Sequence, residues 1–165
     1  MLVKSLLATS LLLLAGMSAK IALFAQGRAA DTFQYGAIDP IGVTLGIGIS
    51  PSTVVSQEMF SADVNLRNPG TTDSASFCLG PMHVRFTDSS GTEVTFKTGL
   101  HVVFMISNHI QKFSPGHAFP RSEPYVAGPP GTYFATATED LCDASRTHAI
   151  AHLKSATIPF IIVSK

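Results

Sequence analysis

Gly128 to Cys142 reads GPPGTYFATATEDLC, and its reading decides the fold. Pro129-Pro130-Gly131 is a corner, because proline and glycine there break any regular element. Beyond it Tyr133, Ala135 and Ala137 alternate with Phe134, Thr136 and Thr138. A period of two makes a β-strand with one buried and one open face. Cys142 lies just past the expected end of that strand.

The rest of the chain follows the same rule. Ile41, Val43, Leu45, Ile47 and Ile49 alternate with Gly42, Thr44, Gly46, Gly48 and Ser50 until Pro51 ends the run. Phe60, Ala62, Val64 and Leu66 are expected inward, with Ser61, Asp63, Asn65 and Arg67 outward, before Asn68-Pro69-Gly70 turns the chain. Cys78 heads a third strand in which Met82, Val84 and Phe86 face in. Asp88-Ser89-Ser90-Gly91 is a hairpin turn with glycine where φ must be positive, and Thr92 to Lys97 returns. Leu100 to Ser107 is apolar on both faces, as a covered central strand or a strand that meets a partner would be. Asn108 to Ala127 is expected as loop or short strands broken by Pro115, Pro120 and Pro124. Arg146 to Leu153 fits helix or strand, and Ala156 to Val163 is a last strand through Ile158, Phe160 and Ile162. Seven or eight short strands with turns between them, and no amphipathic helix above two turns, predict an all-β, antiparallel β-sandwich.

Residues 1–30 read as a signal peptide ahead of that domain. Lys4 supplies the positive start, Leu6 to Met17 an apolar run, and Ser18, Ala19, Ala29 and Ala30 the small residues near a cleavage site. Cleavage after Ala19 and cleavage nearer Ala30 both fit. The alternative is an N-terminal membrane anchor, since Leu6 to Phe24 approaches the ~20 residues that span a bilayer, although Lys20 interrupts it. Residues 31–40 are expected as a flexible lead-in and 41–165 as the domain. Lys4, Lys20 and Arg28 leave with the leader, so three of the eleven basic residues are lost against none of the eleven acidic ones. The remainder is mildly acidic without a basic patch, which argues against nucleic acid or an anionic membrane as partner. Cys78 and Cys142 are the two cysteines. In a secreted or periplasmic chain an even count favours a disulfide, worth about 4 kcal/mol for a loop of this length, with two free thiols as the alternative.

Pro129-Pro130-Gly131-Thr132-Tyr133 resembles the Pro-Gly-x-Tyr corner before the penultimate strand of bacterial immunoglobulin-like and fibronectin-III-like sandwiches. Ser50-Pro51-Ser52-Thr53-Val54 with Asn68-Pro69-Gly70 is similar to their first two strands, and Phe113-Ser114-Pro115-Gly116 to a turn that often follows. The layout from Ile41 to Val163 is loosely similar to the BsuPI-type proteinase inhibitors. The resemblance implies an immunoglobulin-like fold in which the Tyr133 hydroxyl caps backbone a few residues upstream. It brings no inhibitory residue with it. The chain departs from antibody domains in having no tryptophan and in carrying Ala135 two residues after the tyrosine. A disulfide between the sheets is thereby excluded; Cys78 and Cys142 would instead staple two loops at one pole.

No catalytic set emerges. His148 and His152 in HAIAH have the spacing of two zinc ligands on a helix. As a strand, the same segment sets them ~13 Å apart. The glutamate of the metalloprotease motif is absent, so they are weak metal candidates beside the reading as two solvated or hydrogen-bonded histidines. A blue-copper site needs His and Met soon after a cysteine, but Cys142 is followed by Asp143 and Ala144 and no methionine comes later. G-x-S-x-G is absent. Glu139, Asp140 and Asp143 form an acidic cluster, read as a solvated loop. Phe113, Phe119 and Tyr125, among prolines, are the binding candidates, because aromatics on a stiff loop make good anchors; the alternative places them in the core. The sequence therefore predicts an exported, cofactor-free, non-catalytic domain that binds a protein or cell-surface partner through its loops. A secreted proteinase inhibitor is the alternative and a metal-binding periplasmic protein the third reading.

Overall fold

The computed structural model describes residues 33–99, 110–145 and 147–165. The leader, and the Leu100 to Ser107 segment, lie outside them. Among the described residues eleven strands occur in chain order. They are β1 (Gln34–Tyr35), β2 (Thr44–Ser50), β3 (Thr53–Val55), β4 (Met59–Arg67), β5 (Cys78–Asp88) and β6 (Glu93–Val94). After these come β7 (Lys97–Thr98), β8 (Ala118–Val126), β9 (Gly131–Cys142), β10 (Ala149–Lys154) and β11 (Ile158–Val163). One sheet has the order β1-β2-β4-β8-β7, the other β3-β11-β9-β5-β6, with β10 also on β9. The fold is all-β, as expected, with more strands than the seven or eight that periodicity marks. β1, β3 and β7 account for the surplus, because two or three residues carry no readable period; β6 lies within the return strand expected over Thr92 to Lys97.

β9 organises its sheet. Along one edge it pairs with β5 from Asp88↔Tyr133 to Cys78↔Cys142. Along the other it meets β11 over Gly131 to Ala135 and β10 over Thr138 to Cys142. The segment from Arg146 to Leu153, open between helix and strand by sequence, is thus a strand from Ala149 onward. β3 runs parallel to β11, against the all-antiparallel expectation.

In the facing sheet, β2 and β4 pair Leu45↔Leu66, Ile47↔Val64 and Ile49↔Ala62, so the aliphatic faces coincide. β8 corrects the expectation of proline-broken pieces: it is continuous over nine residues and pairs along all of β4. The carbonyl of Pro124 accepts Gly99 N–H at 2.8 Å on the side away from β4. Pro120 is in the same phase, so neither proline removes a donor that β4 needs. Within residues 31–40, Gln34 and Tyr35 pair with the edge of β2. Tyr35 lies flat on β2, where a Cβ on Gly46 would come within 2.7 Å of its ring, so only glycine fits beneath it. Asn65 donates to the Tyr35 hydroxyl at 2.8 Å.

The core has an aromatic end. Phe60, Phe86, Phe96, Tyr125, Tyr133 and Phe160 pack together, with Phe86–Tyr125 centroids 4.9 Å apart and Phe60–Phe96 5.4 Å apart, both edge-on. Edge-on pairs add about 0.5–1.5 kcal/mol each beyond their area. Tyr133 donates to the Pro129 carbonyl at 3.0 Å, the expected corner. At the same end Gly91 takes φ +83° in the turn from β5 to β6, and Asp88 accepts from Ser90 N–H. The Ser90 hydroxyl, and after it the backbone N–H groups of the turn, hold the Asp88 carboxyl below its ordinary range. Among the described residues no helix is long and apolar enough to cross a membrane.

Candidate functional site

The opposite end of the sandwich is built differently. Cys78 opens β5, Cys142 closes β9, and the two are directly opposed and disulfide-bonded, with Cα atoms 5.0 Å apart. The bridge therefore joins two neighbouring strands of one sheet at their ends, rather than two loops. The loops that surround it are tied to each other. Asn68 is buried; its Nδ2 donates to the carbonyls of Thr72 and Phe113 at 2.8 Å each, and its Oδ1 accepts Gly70 N–H. Phe113 N–H donates to the Ser74 hydroxyl, and Phe77 and Gln111 exchange both backbone hydrogen bonds. Residues 68–77 and 110–117 thus form one platform.

Of the three aromatic candidates, two are corrected to core positions. Phe113 is 2% exposed and packs edge-on against Phe77, while Tyr125 is 6% exposed within the aromatic cluster. Phe119 remains at the surface, 36% exposed. The physical reason is phase: Phe119, Arg121, Glu123 and Tyr125 share the inward face of β8, and only the position nearest the strand end is left uncovered.

That inward row contains the polar heart of this end. Arg121 of β8 reaches across to Glu139 of β9 in an ion pair between the two sheets, its side chain 10% exposed and that of Glu139 not at all. Glu139 is therefore no part of a solvated acidic loop. Its neighbours in the ladders are Met82 and Leu153, both apolar. Burial pushes its carboxyl above the ordinary glutamate range, Arg121 pulls it down, and Asp140 adds to the rise. One rung along, Tyr125 donates to Glu123 at 2.5 Å; burial first, then Glu123, drives the Tyr125 hydroxyl upward. Sequence phase could have placed Glu139 on the inward face, since it continues the inward series of Tyr133, Ala135 and Ala137, but not its pairing with Arg121.

The two histidines do not share a site. His152 lies on the open face of β10 with Nδ1 2.5 Å from Asp140 Oδ1. His148 precedes the strand and contacts Thr147 Oγ1 at 2.8 Å and Asp143 at 3.5 Å. Asp143 also takes the Ser145 hydroxyl and Thr147 N–H, which together hold its carboxyl below the ordinary range. Among the described residues no group of three His, Cys, Asp or Glu is arranged to hold a metal ion.

No family model and no curated protein matches the chain. Solved structures similar to it include the C-terminal domain of Wzt, at 11% identity and TM-score 0.49 over 84% of this chain and 82% of that one. The cupredoxin domain of AmoB from Nitrosocaldus yellowstonii is 9% identical, with TM-score 0.41 over 76% of this chain and 90% of that one. The CARDB domain of a Pyrococcus furiosus protein, in complex with di-metal ions, is 17% identical, with TM-score 0.39 over 82% and 95%. At these values none of their properties transfers to this chain.

Proposed function

We propose that the protein is an exported, non-catalytic, immunoglobulin-like binding domain that presents the loops at its disulfide end to a protein or cell-surface partner. The observation that carries this reading is the locking of residues 68–77 and 110–117 into one platform by Asn68, Ser74 and the Phe77–Gln111 exchange. Ordered loops bind without the entropic cost of being fixed on contact. Ile110, 50% exposed, and Phe119 supply apolar surface beside them.

Affinity purification of the full chain from its own periplasmic or extracellular fraction tests the reading against a Phe119→Glu, Ile110→Glu variant of equal thermal stability. A partner captured by the parent and lost from the variant is the expected result; identical partner sets overturn it. Stoichiometric inhibition of secreted proteases would replace it with the inhibitor reading.

A further inference from the structure

We propose that Arg121 and Glu139 are a proton-operated clasp between the two sheets: charged, Glu139 keeps the Arg121 side chain turned inward; protonated, it stays buried and releases that side chain toward the surface beside Phe119. The geometry is what singles the pair out. Elsewhere among the described residues the facing surfaces of β4, β5, β9 and β11 meet through apolar and aromatic side chains, none of which changes charge in the acid range. Here a carboxylate shut away from water faces one guanidinium from the other sheet.

The contact is also singly made. Glu139 Oε1 and Arg121 Nε and Nη1 are buried without a hydrogen-bond partner in the protein, so the pair lacks the bidentate fork that makes such bridges strong. A single charge-assisted hydrogen bond then keeps Arg121 turned inward. Once Glu139 is neutral, a buried cation without a counter-charge is costly. Arg121 has a way out, because it lies beside the surface ring of Phe119, with its guanidinium 5.6 Å from the ring centroid.

Among the described residues the groups that could modify the titration are few. On β8 they are Glu123 and Tyr125, bonded to each other, and on β9 Asp140, which follows Glu139 and points to the open face toward His152. Met82 of β5, Leu153 of β10 and Val64 of β4 complete the surround and do not titrate. Burial places the Glu139 transition above the usual glutamate range, so the clasp opens at milder acidity than other carboxylates require. The fold itself survives the change. A carboxyl whose folded pKa is raised contributes stability below its unfolded pKa and loses it as pH rises through the folded value, so acid does not unfold the domain through this group.

An NMR titration of the full chain tests the clasp. The Glu139 carboxyl carbon is expected to titrate with a midpoint above about 4.3, the ordinary glutamate value. The Arg121 Nε resonance and the Phe119 ring should shift with that same midpoint while the amide dispersion stays native. Glu139→Gln at neutral pH should place both at their acid positions. Arg121 and Phe119 resonances that stay fixed through the Glu139 titration overturn the proposal, as does a Glu139 midpoint at or below the ordinary value. The parent titration decides the matter even where the variant does not fold.

Discussion

The two ends of the sandwich solve the same problem by opposite means. At one end six aromatic rings from both sheets close the core, and the polar atoms there are spent on turns: Tyr133 on the Pro129 carbonyl, Asp88 on its own hairpin. At the other end a disulfide, a buried asparagine and an ion pair between the sheets do the joining. Apolar packing needs only volume and tolerates exchange, whereas each polar joint depends on its partner being present. The aromatic end is therefore the stable base, and the polar end is the one that can respond to its surroundings.

Deleting a base residue should have the largest effect. Phe60→Ala opens a void among Phe86, Phe96, Tyr125 and Phe160 and is expected to cost about 3–5 kcal/mol, read by denaturant unfolding. A loss under about 1 kcal/mol would mean the rings are not the base.

Single and paired changes at the clasp sharpen the contrast. Arg121→Met strands the fully buried Glu139 carboxylate and should cost about 3–5 kcal/mol at neutral pH, whereas Arg121→Met with Glu139→Leu should be near neutral or stabilising. A double variant as unstable as the single one would show that the pair contributes shape, not charge.

The disulfide comes next. Replacing Cys78 and Cys142 by alanine should lower stability by about 2–4 kcal/mol while leaving the ring contacts of the aromatic end intact, seen as unchanged aromatic NOEs. Spread of the disturbance to Phe60 and Phe160 would remove the distinction between the ends. Smallest is Tyr133→Phe, which loses one hydrogen bond to backbone and should cost about 1 kcal/mol by thermal melting.

Much of this was readable from residues in order. The inward faces of β2, β4 and β9, the turn at Gly91, the corner at Tyr133 and the pairing of Cys78 with Cys142 all follow from local period, turn chemistry and cysteine count. β8 did not, because whether a proline breaks a strand depends on which side its missing N–H would face, and that is set by β4 and Gly99. The candidate site divides in the same way. Phe119, Phe113 and Tyr125 are alike as aromatics among prolines, yet one is half-open and two are core. HAIAH carried a metal-ligand spacing that means something only on a helix, and pairing with β9 makes it a strand.

By itself the sequence determined that the chain is built of strands, where most of them turn, and which side of each is apolar, because a period of two and the chemistry of Gly and Pro act within a few residues. Tertiary structure alone decided that Arg121 and Glu139 meet, that Asn68 ties two loops, and that the disulfide end is the polar one. Those contacts join residues 18, 45 and 64 positions apart: pairing of β5 with β9 brings the cysteines together, and the closing of one sheet on the other brings Arg121 to Glu139.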